Sequence, residues 1–184
     1  KFVNFIVKLF QTSVIQNNPN DSIISPSKKM ILNVSFENPT DHIDSTQNYQ
    51  LTISNLSIDS GISGNALRVI NCGTCNMILN GFSSYIRDTI FTLNFLIKPD
   101  SIYSQNLIIS STASSASSLY CMLSDSNRIN IAVEYSGMPS VIKSKSKLQA
   151  GEWSYVSISY SGEIARIYIN GTIDTTTNFI KGFR

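Results

Sequence analysis

Hydrophobic and polar residues alternate with a period of two along much of this chain. The alternation is cleanest in Trp153-Ser154-Tyr155-Val156-Ser157-Ile158-Ser159-Tyr160, where Val156, Ile158 and Tyr160 fall on one side of an extended chain and Ser157 and Ser159 on the other. This is the pattern of an antiparallel strand with one buried face. Similar short runs separated by turn residues predict strands over Met30 to Phe36, Gln50 to Ile53, Ala66 to Ile70, Met77 to Leu79, Thr89 to Lys98 and Leu107 to Ser111. Further ones are predicted over Leu119 to Ser124, Ile129 to Tyr135, Val141 to Leu148, Trp153 to Tyr160 and Ile164 to Asn170. About eleven strands at this spacing, with no helical period after Phe10, predict an all-β sandwich or barrel. Asn170-Gly171 is the strongest hairpin signal in the chain, because both residues tolerate the positive φ of a type I′ turn.

The first residues fit more than one pattern. Phe2, Phe5, Ile6, Leu9 and Phe10 match an amphipathic helix, and Val3, Phe5, Val7 and Leu9 match one face of a strand. A third reading takes Lys1 as the remnant of a signal sequence's basic start. Asn4 and Lys8 interrupt the apolar run and favour an element packed on the domain. A polar loop from Gln16 to Lys28, rich in Asn, Pro and Ser, separates this segment from the strands. The organisation expected is an N-terminal segment and loop over 1–29 and one β domain over 30–184.

Composition narrows the function classes. At 184 residues and 42% hydrophobic, the chain can fill one core but not two comfortable ones. Only 14% of residues are charged, so hydroxyls and amides must supply most of the surface polarity. A net charge of +2, with no basic cluster interleaved with aromatics, argues against nucleic acid as a partner. No apolar run approaches the roughly 20 residues of a membrane-spanning helix.

The three cysteines are Cys72, Cys75 and Cys121. Cys72-Gly73-Thr74-Cys75 could close a small disulfide loop at a hairpin tip, leaving Cys121 either buried and reduced or paired with another chain. His42 is the one histidine of the chain, so a four-ligand zinc site lacks donors. A redox motif is disfavoured because Cys75 leads into the strand-like run Asn76-Met77-Ile78-Leu79 instead of a helix.

Four segments, taken in order, resemble the laminin G-like family. Gly151-Glu152-Trp153 opening an alternating strand, followed by Arg166-Ile167-Tyr168-Ile169-Asn170-Gly171, is similar to its Gly-x-Trp strand and its strand ending Tyr-x-Asn-Gly. Phe91-Thr92-Leu93-Asn94-Phe95-Leu96-Ile97-Lys98-Pro99 resembles the central strand, with Leu96 where a tryptophan often stands. Gly64-Asn65-Ala66-Leu67-Arg68-Val69 resembles the Gly-x-Ala-Leu-x-Phe strand, and Ile31 to Phe36 the opening strand, with Glu37 in place of its aspartate. The resemblance implies a concanavalin A-like jelly roll of two curved antiparallel sheets packed face to face. The family's pattern continues past the Asn-Gly hairpin with another pair of strands, whereas this chain stops at Arg184. That leaves three readings: a piece of a longer protein, an open edge filled by the Lys1 to Phe10 segment, or an edge filled by a partner.

The same jelly roll hosts glycosidases, so catalysis has to be judged on residues. Glu37, Glu134, Glu152 and Glu163 are the glutamates, and none opens the Glu-x-Asp-x-x-Glu arrangement that sets an acid and nucleophile pair on one strand. His42 has no nucleophile motif beside it. No catalytic residue is therefore assigned, and no cofactor is expected. Calcium is the one ion with candidates, because the resemblance implies a rim site, for which Asp41, Asp44 or Asp125 with Asn127 could supply oxygens. Turn capping by these residues is the competing reading.

Lys143-Ser144-Lys145-Ser146-Lys147 places three lysines on one face of a predicted strand, as a contact for sulfated or sialylated glycans or as charges protecting a sheet edge. Tyr85 and Tyr103, with Tyr120 and Tyr135, offer rings for sugar stacking or for core packing. Sequons stand at Asn20, Asn33, Asn55 and Asn170, and about four would arise by chance from this composition; Asn20, in the polar loop, is the best-placed acceptor. The function expected is a non-catalytic extracellular or cell-surface module for adhesion or assembly, acting through other protein chains or further domains of its own polypeptide. A glycan-binding lectin domain is the alternative, and an inactive glycosidase relative the third.

Overall fold

The computed structural model describes residues 2–12, 28–33, 50–54, 57–62, 64–70, 76–80, 91–99, 106–113, 117–124, 126–135, 138–161 and 164–178. Every regular element among them is a strand: β1 Phe2–Thr12, β2 Lys28–Asn33, β3 Gln50–Ser54, β4 Ser57–Ser60, β5 Asn65–Ile70, β6 Asn76–Asn80 and β7 Phe91–Pro99. The second half holds β8 Asn106–Ala113, β9 Ser117–Leu123, β10 Ile129–Tyr135, β11 Met138–Lys143, β12 Ser154–Tyr160, β13 Ile164–Ile169 and β14 Thr172–Asn178. An eight-stranded sheet runs β14-β13-β12-β7-β1-β5-β4, with β2 also paired to β1. A four-stranded sheet runs β11-β10-β9-β8, and β3 pairs β6. Every pairing is antiparallel.

The period-two pattern decides which face is buried. On β12, Val156, Ile158 and Tyr160 are buried, as their alternation with serine predicts. The register carries that face across the sheet: Ile158 stands opposite Leu93 on β7 and Ile167 on β13, and Val156 opposite Phe95. Leu93, Phe95, Ile97, Ile158 and Ile167 are at most 2% exposed. The four-stranded sheet contributes Cys121, Leu123, Ile129, Ile131 and Ile142 to the buried apolar set. The β13–β14 turn takes φ of 51° at Asn170 and 80° at Gly171, the left-handed pair that a type I′ turn needs.

Four expectations require correction. Lys1 to Phe10 does not fill an edge. From Phe2 onward it is β1, inside the eight-stranded sheet, with Val3 to Phe10 paired to β7 on one side and β5 and β2 sharing the other. This also overturns the helical reading. Val141 to Leu148 is not one strand: β11 begins at Met138 and ends at Lys143. The Lys-Ser repeat imitates strand alternation, but the Ser144 hydroxyl takes the Ile129 N–H at 3.0 Å and turns the chain out of the ladder.

The strand reading also stopped at Asn170, whereas β14 continues the sheet beyond the turn; its Thr-rich sequence has no apolar alternation to announce it. Finally, Cys72 and Cys75 lie outside the described residues, but the strands flanking them are not a hairpin. β5 pairs β4 and β1, while β6 pairs β3.

Candidate functional site

The outward side of the eight-stranded sheet is built from the positions that alternate with the core. On β7 these are Thr92, Asn94, Leu96 and Lys98; on β12 they are Tyr155, Ser157 and Ser159. On β13 they are Arg166 and Tyr168, and on β14 Thr176 stands beside Arg166. Register sets these residues in rows. One runs Thr176, Arg166, Ser159, Thr92; the next runs Tyr168, Ser157, Asn94.

Tyr155 is 42% exposed, yet its hydroxyl donates to Asn94 Oδ1 at 2.8 Å. Because Tyr155 stands opposite Leu96, its ring reaches diagonally across the strand pair to Asn94, which is only 7% exposed. The backbone beneath is also fixed: the Tyr155 N–H donates to Asn170 Oδ1 at 2.9 Å, and the Asn170 N–H donates to the Tyr155 carbonyl at 2.8 Å. The result is an open aromatic ring held at its tip and its base, with Leu96 opposite and the amides of Asn94 and Asn170 on either side. Tyr168 lies in the adjacent row on β13, half-exposed.

A second polar cluster joins the edges of the two main sheets. Beyond β11, the buried Ser144 hydroxyl accepts the Ile129 N–H and donates to the Ser146 carbonyl at 2.7 Å. Leu148 returns to the core, its N–H donating to the Asn127 carbonyl at 2.7 Å. Asp174 of β14 receives the N–H groups of Lys145 at 2.6 Å and Ser146 at 2.8 Å, and the Thr175 hydroxyl lies 2.8 Å from the same carboxylate. Partial burial pushes the Asp174 carboxyl up, but hydrogen bonds from Ser146, Thr175 and Lys145 outweigh it and hold the group below its ordinary value.

Lys143, Lys145 and Lys147 are all exposed on this hook, so they flank the edge clip instead of lining one strand face. Tyr85, Tyr103, Asp41, Asp44, Asp125 and Asn20 lie outside the described residues, as does His42. Asn127 is buried in a turn at φ 54°, its Oδ1 without a hydrogen-bond partner; one amide oxygen is no coordination sphere. Among the described residues no group of three His, Cys, Asp or Glu is placed to hold a metal ion. Cys121 is a free, buried thiol, and burial pushes its pKa up. Sequence reasoning missed Tyr155, Asn94, Tyr168 and Arg166. The signal for Tyr155 was available, since alternation places it with Ser157 and Ser159 on the polar side of β12.

Antiparallel sheets of this order, whose strands bury the apolar set given above, define an all-β sandwich of the jelly-roll kind. A family model described as the concanavalin A-like lectin/glucanases superfamily matches residues 78–182, and the chain belongs to that superfamily. No curated protein matches it. Among solved structures, the fold is similar to domain 4 of AbnA, a GH43 extracellular arabinanase from Geobacillus stearothermophilus, in complex with arabinotriose. That likeness has a TM-score of 0.63 at 15% identity and covers 97% of this chain and 79% of that one. The carbohydrate binding module CBM66 from Bacillus subtilis is also similar, with a TM-score of 0.48 at 11% identity over 72% of this chain and 81% of that one.

Proposed function

We propose that this chain is a non-catalytic glycan-binding module, working outside the cell or at its surface, that holds an oligosaccharide across the outward side of β7, β12 and β13. The observation that carries the reading is Tyr155, an exposed ring whose hydroxyl is fixed on Asn94. A sugar stacks its C–H face on such a ring, and a ring already immobilised loses little entropy on binding. Ser157, Ser159, Thr92 and Tyr168 supply hydroxyls around it at strand spacing, about 4.8 Å from row neighbour to row neighbour. Membership of the lectin/glucanase superfamily supports the reading, as does the similarity to an arabinanase domain whose own structure holds arabinotriose. On this support we rank glycan binding ahead of the protein contacts that the sequence put first.

The absence of catalysis is part of the same proposal. Among the described acids, Asp59 pairs with Arg68 at 2.8 Å, Asp174 is tied to backbone N–H groups, Glu152 sits exposed in a turn and Glu134 on β10 stands between Ser118 and Pro139, so none of the four has a carboxylate as its partner. The test is a glycan array followed by calorimetry on the best oligosaccharide. Tyr155→Ala should weaken binding about two- to tenfold, the range of an aromatic contact. Binding that is indifferent to both Tyr155→Ala and Tyr168→Ala would place the site elsewhere, and release of reducing sugar would end the non-catalytic reading.

A second reading, assembly with another chain, is favoured by Val141 at 59% and Ile173 at 57% exposure on β11 and β14, the outermost described strands of their sheets. Light scattering of the wild type against Val141→Glu and Ile173→Glu tests it, and a monomer unchanged by either substitution would remove it.

A further inference from the structure

We propose that Arg166 makes this surface selective for glycans carrying negative charge, uronic-acid units above all, an inference that rests on the glycan-binding reading of the same face. Arg166 is half-buried on β13, between Ser159 on β12 and Thr176 on β14, with Thr92 one strand further on. It has no ion-pair or hydrogen-bond partner among the described residues, whereas Arg68 is neutralised by Asp59. The outward positions of β7, β12 and β13, with Thr176 on β14, include no carboxylate, and their second charge is another cation, Lys98. Asp174, the acid of β14, is engaged by the Lys145 and Ser146 N–H groups at the sheet edge.

A guanidinium partly withdrawn from water, with hydroxyl residues on both neighbouring strands and no counter-ion among the described residues, is incomplete. Its planar fork of donors matches a carboxylate in two parallel hydrogen bonds, which a lysine or a neutral hydroxyl cannot reproduce. Tyr168 lies two residues along the same strand, about 6.8 Å away, so one sugar stacks on a tyrosine while a neighbouring uronate reaches Arg166. Of the three lysines, Lys143 ends β11 in the other sheet and Lys145 and Lys147 follow it, so charge selection by them is separable by substitution.

The test is calorimetry on the full chain with oligogalacturonides, the same oligomers as methyl esters, neutral arabinan oligosaccharides, and dextran with and without sulfate. Methyl esterification keeps the shape and removes the charge. The expected result is a preference of about tenfold for the free acid over the ester, which is what one charge-assisted contact at a half-exposed site supplies. Arg166→Gln should abolish that preference by bringing the free acid down to the level of the ester, and Arg166→Lys should restore part of it. Lys145→Glu should leave the preference intact.

A preference that survives Arg166→Gln, or vanishes with Lys145→Glu, overturns the assignment. Neutral and esterified chains bound as tightly as the acid would sink the charge selection but leave the glycan reading standing. No binding to any of these probes or to a glycan array by a folded protein would sink both. Arg166-dependent capture of dextran sulfate without uronate binding would replace the carboxylate by a sulfate ester and overturn the uronic assignment. If Arg166→Gln fails to fold, salt decides on the wild type. The acid-over-ester preference must shrink from about 50 to about 500 mM NaCl while ester binding stays constant, and a preference indifferent to salt refutes the proposal.

Discussion

Asp174 reaches across 29 residues of sequence to fasten the end of β11 to β14, so removing its carboxylate should loosen one long edge of the sandwich. It accepts two backbone N–H groups, at 2.6 and 2.8 Å, and the Thr175 hydroxyl at 2.8 Å. Hydrogen bonds to a charged acceptor contribute up to about 3 kcal/mol each where water is excluded. Lys145 and Ser146 are exposed, however, and water takes over their donors once the carboxylate is gone. The loss expected for Asp174→Ala is therefore about 1–2 kcal/mol in total. For a chain of 184 residues that is a fall in Tm of about 3–6 °C, read by thermal unfolding followed by circular dichroism at pH 7.

The pH dependence separates this account from a packing defect. Because the folded state holds the Asp174 carboxyl below its ordinary value, the unfolded chain takes up the proton first. The stabilisation is then fully present above about pH 4 and is lost as pH falls through the lowered folded value. The gap between wild type and Asp174→Ala should be constant from pH 5 to 8 and should narrow towards about pH 2.5. Asp174→Asn keeps the shape but only one acceptor, and should fall between the two at pH 7. A Tm within about 1 °C of wild type at pH 7, or a gap as wide at acid pH as at neutral, would refute the reasoning.

Three further outcomes follow from the buried groups. Ser144→Ala leaves the Ile129 N–H buried without its acceptor and should cost about 1–3 kcal/mol in urea unfolding, with faster hydrogen exchange at that amide; protection unchanged there would contradict the bond. Phe95→Ala removes a side chain only 1% exposed at the centre of β7 and should cost about 3–5 kcal/mol by the same measurement. Cys121, fully buried with its thiol pushed above the ordinary range, should resist iodoacetamide in the native protein and react once denatured, as read by mass spectrometry of its own peptide; native labelling at the rate of a free thiol would refute that.

What the chain discloses on reading divides along the range of the interactions. The buried face of β12 and the β13–β14 turn were legible because both are local: alternation sorts Val156, Ile158 and Tyr160 from their serines, and Asn170-Gly171 carries its own positive φ. The end of β11 was misread because Lys143 to Lys147 alternates like a strand, while the event that ends the strand is a Ser144 hydroxyl meeting Ile129, 15 residues upstream. The place of β1 was illegible for the same reason, since no local feature tells an apolar segment that its neighbours will be β7 and β5. A site built across a sheet suffers most. Thr92, Ser159, Arg166 and Thr176 come from four strands and become one row only through register, so no window of sequence contains their chemistry. Sequence reasoning looked for charge where it is contiguous, at the lysine repeat. That row instead sets one cation among hydroxyls, and a solitary arginine in a strand gives no sign of that until its neighbours across the sheet are known.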